Sequence, residues 1–454
     1  MQVTIAPGVR IGGEMEVPGD KSIAHRWLIL AATASGRSEI HGLPPALDVR
    51  STAGCVARLA PETRPALKAW ASQAARSDEP HGFTFNKGEP RPGPLTLDLD
   101  GRGRARLKAP GESLDCGNSG TTMRLLSGVL AACRFESVLT GDDSLRGRPM
   151  ERVAEPLRQM GAMVETTLGH APLRIVGDRL HGIRYATAAP SAQVKGALLL
   201  AGLDAEGETT VEETAPTRDH TERALEHLGA AVRRSGDAVT VSSFQHGGLA
   251  GTLPGDVSSA AFLVAAAVVT GGELTLHRVG LNPTRTRYLD VMARMGVRTE
   301  QLVTGEELGE PVGDLRVEPT GGLVGTSIEA NELPLVIDEV PVLAALAACA
   351  RGATRFVGAS ELRVKESDRL GGVAMAIVAL GGHAALEGDD LVVAGGGLEG
   401  GVVDPSGDHR MAMALTVAAL GAERPSTVRG AEAADVSFPG FFSALRSLGA
   451  RIEG

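Results

Sequence analysis

Aromatic residues, cysteines and long apolar runs are all scarce in this sequence, and each shortage excludes a class of protein. Aromatic residues make up 3% of the 454 residues, which argues against the stacking platforms that bind single-stranded nucleic acid. The four cysteines are far apart and form no CxxC pair, so neither a zinc site nor a redox motif is indicated. Apolar runs such as 262–269 are too short to cross a bilayer.

Positive charge is also in deficit, because 45 Lys and Arg residues stand against 55 Asp and Glu, a net charge of -10. A general polyanion binder is therefore not expected, although basic residues can still cluster locally. Residues 1–20 lack the basic region and apolar stretch of a signal peptide. Few cysteines are usual in a reducing compartment, so we expect a cytoplasmic protein that binds neither nucleic acid nor membranes.

Glycine is abundant, with 59 residues, and several of the glycines belong to a repeated element. In this element a helical segment ends in Leu or Met and is followed by Gly, a small residue and a strand-like stretch. Glycine at this point suits the left-handed position that ends a helix. The glycines of this element are Gly161, Gly229, Gly296, Gly381 and Gly449.

A second element, a polar opening followed by an Ala-, Leu- and Val-rich helix, occurs six times. Beyond the first turn these helices are apolar on nearly every face, which is typical of fully buried helices. The sequence therefore predicts an α/β protein with six copies of one unit, three of them before residue 252 or so and three after it. The copies are GDKSIAHRWLILAATASG, GNSGTTMRLLSGVLAAC, PSAQVKGALLLAGL, GDVSSAAFLVAAAVV, IDEVPVLAALAACA and GDHRMAMALTVAAL.

Two segments do not follow this alternation. Residues 1–19 contain strand-like stretches that could complete either half of the chain. In the first unit Pro61 stands where the repeated glycine is expected. The polar segment 62–113 that follows is rich in Gly and Pro, and we predict that it is in part a surface insertion.

The polar openings are predicted to carry the chemistry, because helix N-termini present unpaired N–H groups and a partial positive charge. Such ends bind anions, and several of them aimed at one cleft would attract polyanions despite the acidic net charge. Lys21 is the clearest candidate, since a cation at a helix N-terminus opposes the local field unless an anion lies between them. Further polar residues near the openings are Ser22, Arg26, Asn118, Ser119, Gly120, Thr121, Thr122, Arg124, Ser191, Gln193, Lys195, Asp338, Glu339, Asp408, His409 and Arg410.

Two loop motifs, SLRGRPM and LRVKESDRL, add more charge. Guanidinium groups bind carboxylate and phosphate in a bidentate manner, whereas Lys supplies a point charge. A simpler interpretation stays open for each single residue, since Ser and Asn serve as N-caps and lone charges are usually solvated. The charged residues of the two motifs are Arg146, Arg148, Arg363, Lys365, Glu366, Asp368 and Arg369.

Taken together, these motifs resemble those of the 5-enolpyruvylshikimate-3-phosphate synthase family, the 3-phosphoshikimate 1-carboxyvinyltransferases. The resemblance covers essentially the whole chain in the family's order, and SAQVK with VKESDRL looks like the bacterial class II branch. The matching motifs are PGDKSIAHR, LDCGNSGTTMR, GDDSLRGRPM, PSAQVKGALLLAGL, PTRDHTE, IDEVPVLAALAA, LRVKESDRL and GDHRMAMAL.

The resemblance implies a fold of two domains, each with three βαβαββ units, in the inverse α/β barrel-like arrangement of enolpyruvyl transferases. Buried parallel helices would point their N-termini at the interdomain cleft. One domain would comprise residues 20–252, and the other residues 1–19 with 253–454. The implied protein is a monomer that uses no metal or organic cofactor.

The reaction that the resemblance implies belongs to the shikimate pathway of aromatic amino acid biosynthesis. The enolpyruvyl group of phosphoenolpyruvate is transferred to the 5-hydroxyl of shikimate 3-phosphate, and phosphate leaves by C–O cleavage through a tetrahedral intermediate. Such a reaction must protonate an enol carbon and deprotonate an alcohol. It also places several anionic groups in one pocket, which calls for fixed cations and preorganised dipoles.

Residue roles follow from the same resemblance. Asp338 would be the base for the attacking hydroxyl, Glu366 the acid and base at the methylene carbon, and Lys21 and Lys365 would neutralise developing charge. Shikimate 3-phosphate would meet Lys21, Ser22, Arg26, Ser191, Ala192 (through its backbone), Gln193, Arg218, Asp338 and Lys365. Phosphoenolpyruvate would meet Lys21, Gly120, Arg148, Gln193, Arg369 and Arg410.

Three positions bear on how far the resemblance extends. Val436 stands where some members carry a Lys that contacts phosphoenolpyruvate, and Ala192 stands where some carry a second Ser. Gly120 keeps the small residue usual in glyphosate-sensitive members, so the resemblance implies sensitivity to glyphosate.

Two alternative functions remain at this point. UDP-N-acetylglucosamine enolpyruvyl transferases share the six-unit fold, but their first motif differs from the GDKS of this sequence. They also usually have a reactive cysteine in a loop, and no cysteine of this sequence fits that pattern. A non-catalytic anion-binding protein on the same scaffold is disfavoured by Asp338 and Glu366, because a pure anion binder gains nothing from carboxylates beside phosphate.

Overall fold

Strands and helices alternate along the chain in a computed structural model that describes residues 1–76, 96–319 and 321–454. In these residues the strands are β1 Gln2–Ala6, β2 Gly13–Glu16, β3 Ser35–His41, β4 Thr96–Arg102, β5 Leu114–Asp115, β6 Glu136–Thr140, β7 Met163–Thr167, β8 His170–Val176, β9 Arg184–Ala186, β10 Glu208–Glu212, β11 Arg233–Ser235, β12 Ala238–Ser242, β13 Ala250–Thr252, β14 Leu274–Gly280, β15 Arg298–Glu307, β16 Glu310–Glu318, β17 Ser327–Ile328, β18 Ala353–Phe356, β19 His383–Glu387, β20 Asp390–Ala394, β21 Val402–Val403, β22 Ser426–Arg429 and β23 Arg451–Glu453. The α-helices are α1 Lys21–Thr33, α2 Leu47–Leu59, α3 Arg64–Arg76, α4 Gly120–Ala131, α5 Asp143–Arg146, α6 Glu151–Gln159, α7 Ala192–Gly202, α8 His220–His227, α9 Val257–Thr270, α10 Arg287–Arg294, α11 Leu333–Val336, α12 Val340–Ala348, α13 Arg369–Ala379, α14 His409–Leu420 and α15 Phe441–Ser447. Short 3-10 helices are Pro61–Thr63, Arg104–Arg106, Ser360–Val364 and Ala431–Val436.

Six small sheets repeat one pattern, which confirms the prediction of six copies of an α/β unit. In the described residues each sheet has one parallel pair at an edge, followed by two antiparallel pairs, or by one in the three-stranded sheet. The unit β5-α4-β6-α6-β7-β8 shows the βαβαββ order, with sheet order β5-β6-β8-β7. The other sheets have the orders β21-β22-β1-β23, β11-β12-β10-β9, β13-β3-β4, β15-β16-β14-β2 and β17-β18-β20-β19.

Two edge strands are exchanged between the halves of the chain. In the other units the parallel edge strand precedes the buried helix of its own unit, as β5 precedes α4. By contrast, β2 precedes α1 but pairs with β14, and β13 precedes α9 but pairs with β3. The chain therefore crosses between the halves twice, at 17–20 and at 253–256.

The N-terminal residues belong structurally with the C-terminal half. β1 pairs with β22 and β23, and β2 pairs with β14. The buried apolar residues form two clusters, one from Val3 to Val17 together with Val257 to Ile452, the other from Ile23 to Leu308. These two cores support the division into 20–252 and 1–19 with 253–454, which we retain as a proposal.

The Ala-rich helices lie in the middle of the two cores. α4 packs against α7, and α14 packs against α9 and α12; every residue of α9 from Val257 to Val268 is buried. Burial on all faces explains why these segments lack a polar stripe. The repeated glycines end the outer helices with φ values of 111°, 91°, 91°, 81° and 106°, so the predicted left-handed positions are confirmed for Gly161, Gly229, Gly296, Gly381 and Gly449.

The segment 62–113 departs from the prediction of a surface insertion at both of its described ends. Leu67 and Trp70 of α3 are buried in the first core, and β4 pairs with β3 along its whole length. Leu67 and Trp70 are three residues apart, so they share one face of α3. The surrounding Gly- and Pro-rich sequence does not show that this face packs on the first core. Residues 77–95 lie outside the described residues, so the prediction is not addressed there.

In the described residues, no helix combines the length and apolar character needed to span a membrane.

The close packing of α4 on α7 depends on Gly128. A Cβ atom at this position would lie 2.0 Å from the carbonyl oxygen of Ala197, a backbone atom that cannot move without displacing α7. We expect Gly128→Ala to lower the free energy of unfolding by about 1–3 kcal/mol, the usual cost of overpacking, as measured by urea denaturation. Gly54→Ala is the matched control: Gly54 is exposed on α2 with open space around it, so alanine should stabilise by about 0.5–1 kcal/mol. A stable Gly128→Ala variant would contradict the described packing.

Candidate active site

A cavity of about 150 Å³ lies between the two cores, and several of the polar helix openings converge on it. α1, α4 and α7 contribute from the first core, and α14 and the residues before α12 contribute from the second. The opening of α9 is the exception, since Asp256 and Ser258 are buried outside the cavity. The predicted site residues that line it are Lys21, Ser22, Gly120, Arg148, Ser191, Ala192, Gln193, Arg218, Asp338, Lys365, Glu366 and Arg410.

Arg26 and Arg369 do not line the cavity but lie directly behind it. Arg26 is buried and donates to the carbonyl of Ser22 at 2.7 Å and to Thr221 Oγ1 at 2.8 Å. Arg369 is buried and forms ion pairs with Asp408 at 2.8 Å and with Glu366 at 2.5 Å. Both arginines therefore hold cavity residues in place in this structure.

Side-chain caps fix the helix ends that face the cavity. Asp20 accepts from the Ile23 N–H of α1, Ser119 from Thr122 of α4 and Ser191 from Val194 of α7. Capping satisfies one N–H group of each helix and leaves others directed outwards. Ser191 thus serves as an N-cap, which agrees with the simpler interpretation left open above. It also lines the cavity.

The guanidinium groups on the first-core side are held close together. A Cβ atom on Gly120 would lie 3.3 Å from Arg148 Nη1 and 3.4 Å from Arg124 Nη1, so glycine leaves the room that both need. Burial, together with Arg152 and Arg148, lowers the pKa of Arg124 to about 9. A cation destabilised by burial and by other cations is one that a bound anion would stabilise. This wall of the cavity is therefore suited to an anion.

Asp338 lies among cations from both cores. Its carboxylate is 2.5 Å from Arg218 and 3.4 Å from Arg369 and from Arg410. Burial raises the pKa of Asp338, but Arg218, Arg410, Lys365 and Arg369 together hold it well below its usual value. The carboxylate is therefore charged and is a weak base while these cations have no other partner.

Glu366 is the second carboxylate of the cavity. It pairs with Arg369 at 2.5 Å and with Arg148 of the other core at 3.4 Å. Burial raises its pKa, but Arg369, Arg148, His409 and Lys21 hold it well below the usual range. Burial also lowers the pKa of Lys365, although Asp338 and Glu366 oppose that shift. The pKa values of both carboxylates thus depend on the cations that surround them.

His409 is a cavity residue for which the sequence left an ordinary structural role open. It is buried, and its Nε2 atom has no hydrogen-bond partner within the described part of the chain. Burial and then Lys21 lower the pKa of His409 well below its usual value, so the imidazole is neutral near pH 7. A neutral ring aimed into a cationic cavity is available to a bound ligand.

Several further cavity residues had no assigned substrate or catalytic role. The sequence places Arg124 among the polar helix openings, one helical turn after Gly120, but gives it no substrate. Asp48 accepts from Lys21 Nζ at 2.8 Å, a contact across 27 residues that no local pattern shows. The cavity residues without an assigned role include Asp48, Thr121, Arg124, Arg152, Thr217, Glu361 and His409.

Comparison with known proteins agrees with this geometry. The family model described as EPSP synthase (3-phosphoshikimate 1-carboxyvinyltransferase) matches residues 5–80 and 99–445. The chain belongs to the EPSP synthase family. The sequence resemblance to this family is therefore confirmed.

Individual members of the EPSP synthase family are similar along their whole length. A 3-phosphoshikimate 1-carboxyvinyltransferase of Methylococcus capsulatus is 45% identical, with 99% of this chain and 98% of the relative covered. One from Halorhodospira halophila is 46% identical, with 99% and 96% covered. A solved structure of EPSP synthase from Acinetobacter baumannii has a TM-score of 0.81 and 38% identity, and covers 100% of both chains. The predicted two-domain enolpyruvyl transferase architecture is thus the fold of this family.

The charge of Asp338 should affect how the free energy of unfolding depends on pH. A carboxylate whose pKa is lowered on folding stabilises the folded state above its unfolded pKa of about 4, and this contribution is lost as pH falls through the folded value. We expect Asp338→Asn to lower the free energy of unfolding at pH 7 by about 1–3 kcal/mol, and the difference to narrow only below about pH 4. Asp143→Asn, at an exposed ion pair with Arg146, should change little. Urea denaturation at several pH values measures this; a difference that grows as the pH falls would contradict the assignment.

Proposed function

We propose that this chain transfers the enolpyruvyl group of phosphoenolpyruvate to the 5-hydroxyl of shikimate 3-phosphate and releases inorganic phosphate. The observation that carries the proposal is the pair Asp338 and Glu366, two carboxylates held among cations in a cavity between two cores. Membership in the EPSP synthase family and relatives named 3-phosphoshikimate 1-carboxyvinyltransferase support the same reaction. The step belongs to the shikimate pathway of aromatic amino acid biosynthesis.

The charge of the cavity suits these two substrates. Each carries one phosphate and one carboxylate, so the pair brings several negative charges into a small volume. Fixed cations and amide dipoles stabilise such charge without reorganisation, which is usually the largest contribution to catalysis. The cations that line the cavity are Lys21, Arg124, Arg148, Arg152, Arg218, Lys365 and Arg410.

Shikimate 3-phosphate would bind mainly to the first core. The N-terminus of α7 offers the Ser191 hydroxyl, the Ala192 amide and the Gln193 side chain for its phosphate, a usual role for helix N-termini. Arg26 supports this side by holding the Ser22 carbonyl. The residues that we assign to shikimate 3-phosphate are Lys21, Ser22, Arg26, Ser191, Ala192, Gln193, Arg218, Asp338 and Lys365.

Phosphoenolpyruvate would bind between the cores, where Arg148 pairs with Glu366 and Arg410 with Asp338. Gly120 leaves space for the approach of Arg148. Val436 replaces a Lys of some members, and lines a neighbouring cavity instead of supplying a cation. The residues that we assign to phosphoenolpyruvate are Lys21, Gly120, Arg148, Gln193, Arg369 and Arg410.

Substrate binding would itself prepare the two carboxylates for proton transfer. In this structure the surrounding cations hold the pKa of Asp338 and of Glu366 low. Phosphate and carboxylate groups of the substrates would pair with the same cations, and the pKa of each carboxylate would rise towards the working pH. A general base or acid is most effective when its pKa is near that pH.

In the proposed chemical step, Asp338 takes the proton of the 5-hydroxyl as its oxygen attacks C2 of phosphoenolpyruvate, and a proton from Glu366 is added to C3. In the resulting tetrahedral intermediate the bond from C2 to the phosphate oxygen breaks, and Glu366 recovers a proton from C3. The proton held by Asp338 leaves with the phosphate, so both carboxylates return to their initial states. Lys21 and Lys365 stabilise the charge that develops on the departing phosphate and on the attacking oxygen.

We also propose three finer properties. The family resemblance implies that the chain acts as a monomer and needs no metal or organic cofactor. The few cysteines favour a location in the cytoplasm. Light scattering on the purified protein measures the oligomeric state.

Phosphate release tests the proposed function. The purified chain should release inorganic phosphate when both phosphoenolpyruvate and shikimate 3-phosphate are present, and not when either is omitted. Release with UDP-N-acetylglucosamine in place of shikimate 3-phosphate would show the related transferase activity instead. Binding of both substrates without phosphate release would indicate an anion-binding protein.

A substitution at Glu366 distinguishes substrate binding from the chemical step. We expect Glu366→Gln to lower kcat by about 10²- to 10⁴-fold, the usual contribution of a general acid or base, while the affinity for shikimate 3-phosphate remains largely intact. Glu387→Gln is the control, because Glu387 forms only an exposed ion pair with Arg355 and should keep its full rate. Steady-state kinetics and isothermal titration calorimetry give the two quantities, and full turnover by Glu366→Gln would remove Glu366 from the mechanism.

A further inference from the structure

A fully buried arginine, Arg285, lies where the chain crosses between the two cores. The two crossing segments are bonded to each other, because Asp20 N–H donates to the Pro254 carbonyl at 2.8 Å and Asp256 N–H donates to the Pro18 carbonyl at 2.7 Å. Arg285 is 1% exposed and stands just before α10. The proposed function assigns no substrate contact to Arg285, and the residue does not line the cavity.

The guanidinium group of Arg285 contacts both crossing segments and both cores. Nη1 is 3.1 Å from Asp20 Oδ2 and donates to His220 Nε2 at 2.8 Å. Nη2 donates to Ser258 Oγ at 2.7 Å and is 3.7 Å from Asp256 Oδ1. Asp20 caps α1 and Asp256 caps α9, so one side chain joins the N-caps of the first buried helix of each half.

Arg285 is the counterpart of a cavity residue in the preceding unit. Pro-Thr-Arg occurs at 216–218 and again at 283–285. The separation equals that of Gly229 and Gly296, which end the helices that follow the two motifs. Arg218 points into the cavity and pairs with Asp338, whereas Arg285 pairs with the crossing segments. Duplication of the unit thus placed one arginine in the site and one at the connection between the cores.

The contacts of Arg285 reach the neighbours of two proposed catalytic residues. Asp20 directly precedes Lys21. Ser258, which accepts from Arg285, donates in turn to Glu339 Oε1 at 2.5 Å, and Glu339 directly follows Asp338. Lys21 belongs to the first core and Asp338 to the second, so the distance between them depends on how these contacts hold the two backbones.

We propose that Arg285 is a positioning residue that sets Lys21 and Asp338 in register across the two cores. The inference rests on the proposed function, to which it adds a residue outside the cavity. An arginine is needed because its planar fork reaches acceptors on two elements at once, whereas a lysine offers a point charge to one of them. Loss of the contacts of Arg285 would leave each core folded, but the position of one core relative to the other would change.

Arg285→Lys in the full-length chain tests the proposal. We expect kcat at saturating concentrations of both substrates to fall about 10- to 100-fold, the order of loss that a misplacement of about 1 Å causes. The dissociation constant for shikimate 3-phosphate alone, whose contacts come mainly from the first core, should change by less than about threefold. A folded Arg285→Lys variant with unchanged kcat would overturn the proposal, and so would an equal loss of affinity and kcat.

Arg104→Lys is the matched control. Arg104 is also largely buried and pairs with an acid, Asp204, but it lies outside the cavity and the crossing segments. It should keep kcat within about twofold, as expected for a site distant from the chemistry; an equal loss there would mean that any weakened buried ion pair slows the enzyme, and would overturn the specific role.

Ser258→Ala covers the case in which Arg285→Lys does not fold. This change removes one neutral acceptor from the contacts of Arg285, and we expect a loss in kcat of about threefold or more, in line with a single hydrogen bond, again with affinity for shikimate 3-phosphate retained. An unchanged kcat would overturn the proposal. Phosphate release by the unchanged chain is measured first, so that a failure of the proposed function is recognised separately from a failure of the role of Arg285.

Discussion

The placement of the two cores depends on a balance of charge in the cavity between them. Cations that converge on this cavity repel one another, and a few carboxylates offset the repulsion. Helix N-termini already carry partial positive charge, and the cavity adds Lys21, Arg148 and Arg410 to them. Such an arrangement would push the two cores apart if nothing compensated it. Asp338 and Glu366 supply that compensation in this structure, each through ion pairs that involve both cores.

The same balance connects structure to catalysis. In the proposed mechanism, substrate anions would pair with the cations that the carboxylates hold in the absence of substrate, and the pKa values of the carboxylates would rise. Groups that stabilise the protein without substrate would thereby become the proton-transfer groups of the reaction. A cavity built in this way needs substrate charge in order to work, which is a physical basis for discrimination against neutral or less charged analogues.

Repetition of one unit explains how a chain of ordinary composition builds such a site. Each βαβαββ copy supplies a buried helix whose N-terminus is polar, so one short motif is presented several times around a common centre. The copies also differ: Arg218 lies in the cavity, Arg285 lies at the connection between the cores, and the opening of α9 carries the buried Asp256 instead of cavity residues.

Features that depend on residues close together in the sequence could be predicted, whereas features that depend on distant residues could not. The left-handed glycines, the buried helices and their polar openings were predicted, because each depends on spacing within about one or two helical turns. The roles of the cavity residues, and Arg218 as a candidate, came from the family resemblance instead. Whether 1–19 joined the first or the second half could not be read from the residues alone, since an edge strand such as β2 selects its partner by contacts with residues far along the chain. The burial of Trp70 was missed for the same reason.

The amino-acid sequence by itself therefore determined the repeated units, their helix ends and the residue types gathered at the openings, because local backbone preference and periodicity set all of these. Only the tertiary structure decided that β2 and β13 exchange partners and that Arg26 and Arg369 lie behind the cavity rather than in it. It alone also brought Asp48 to Lys21 and Glu366 to Arg148. Those outcomes depend on the packing of two cores against each other, and pairings between distant residues leave no periodic trace in a single sequence.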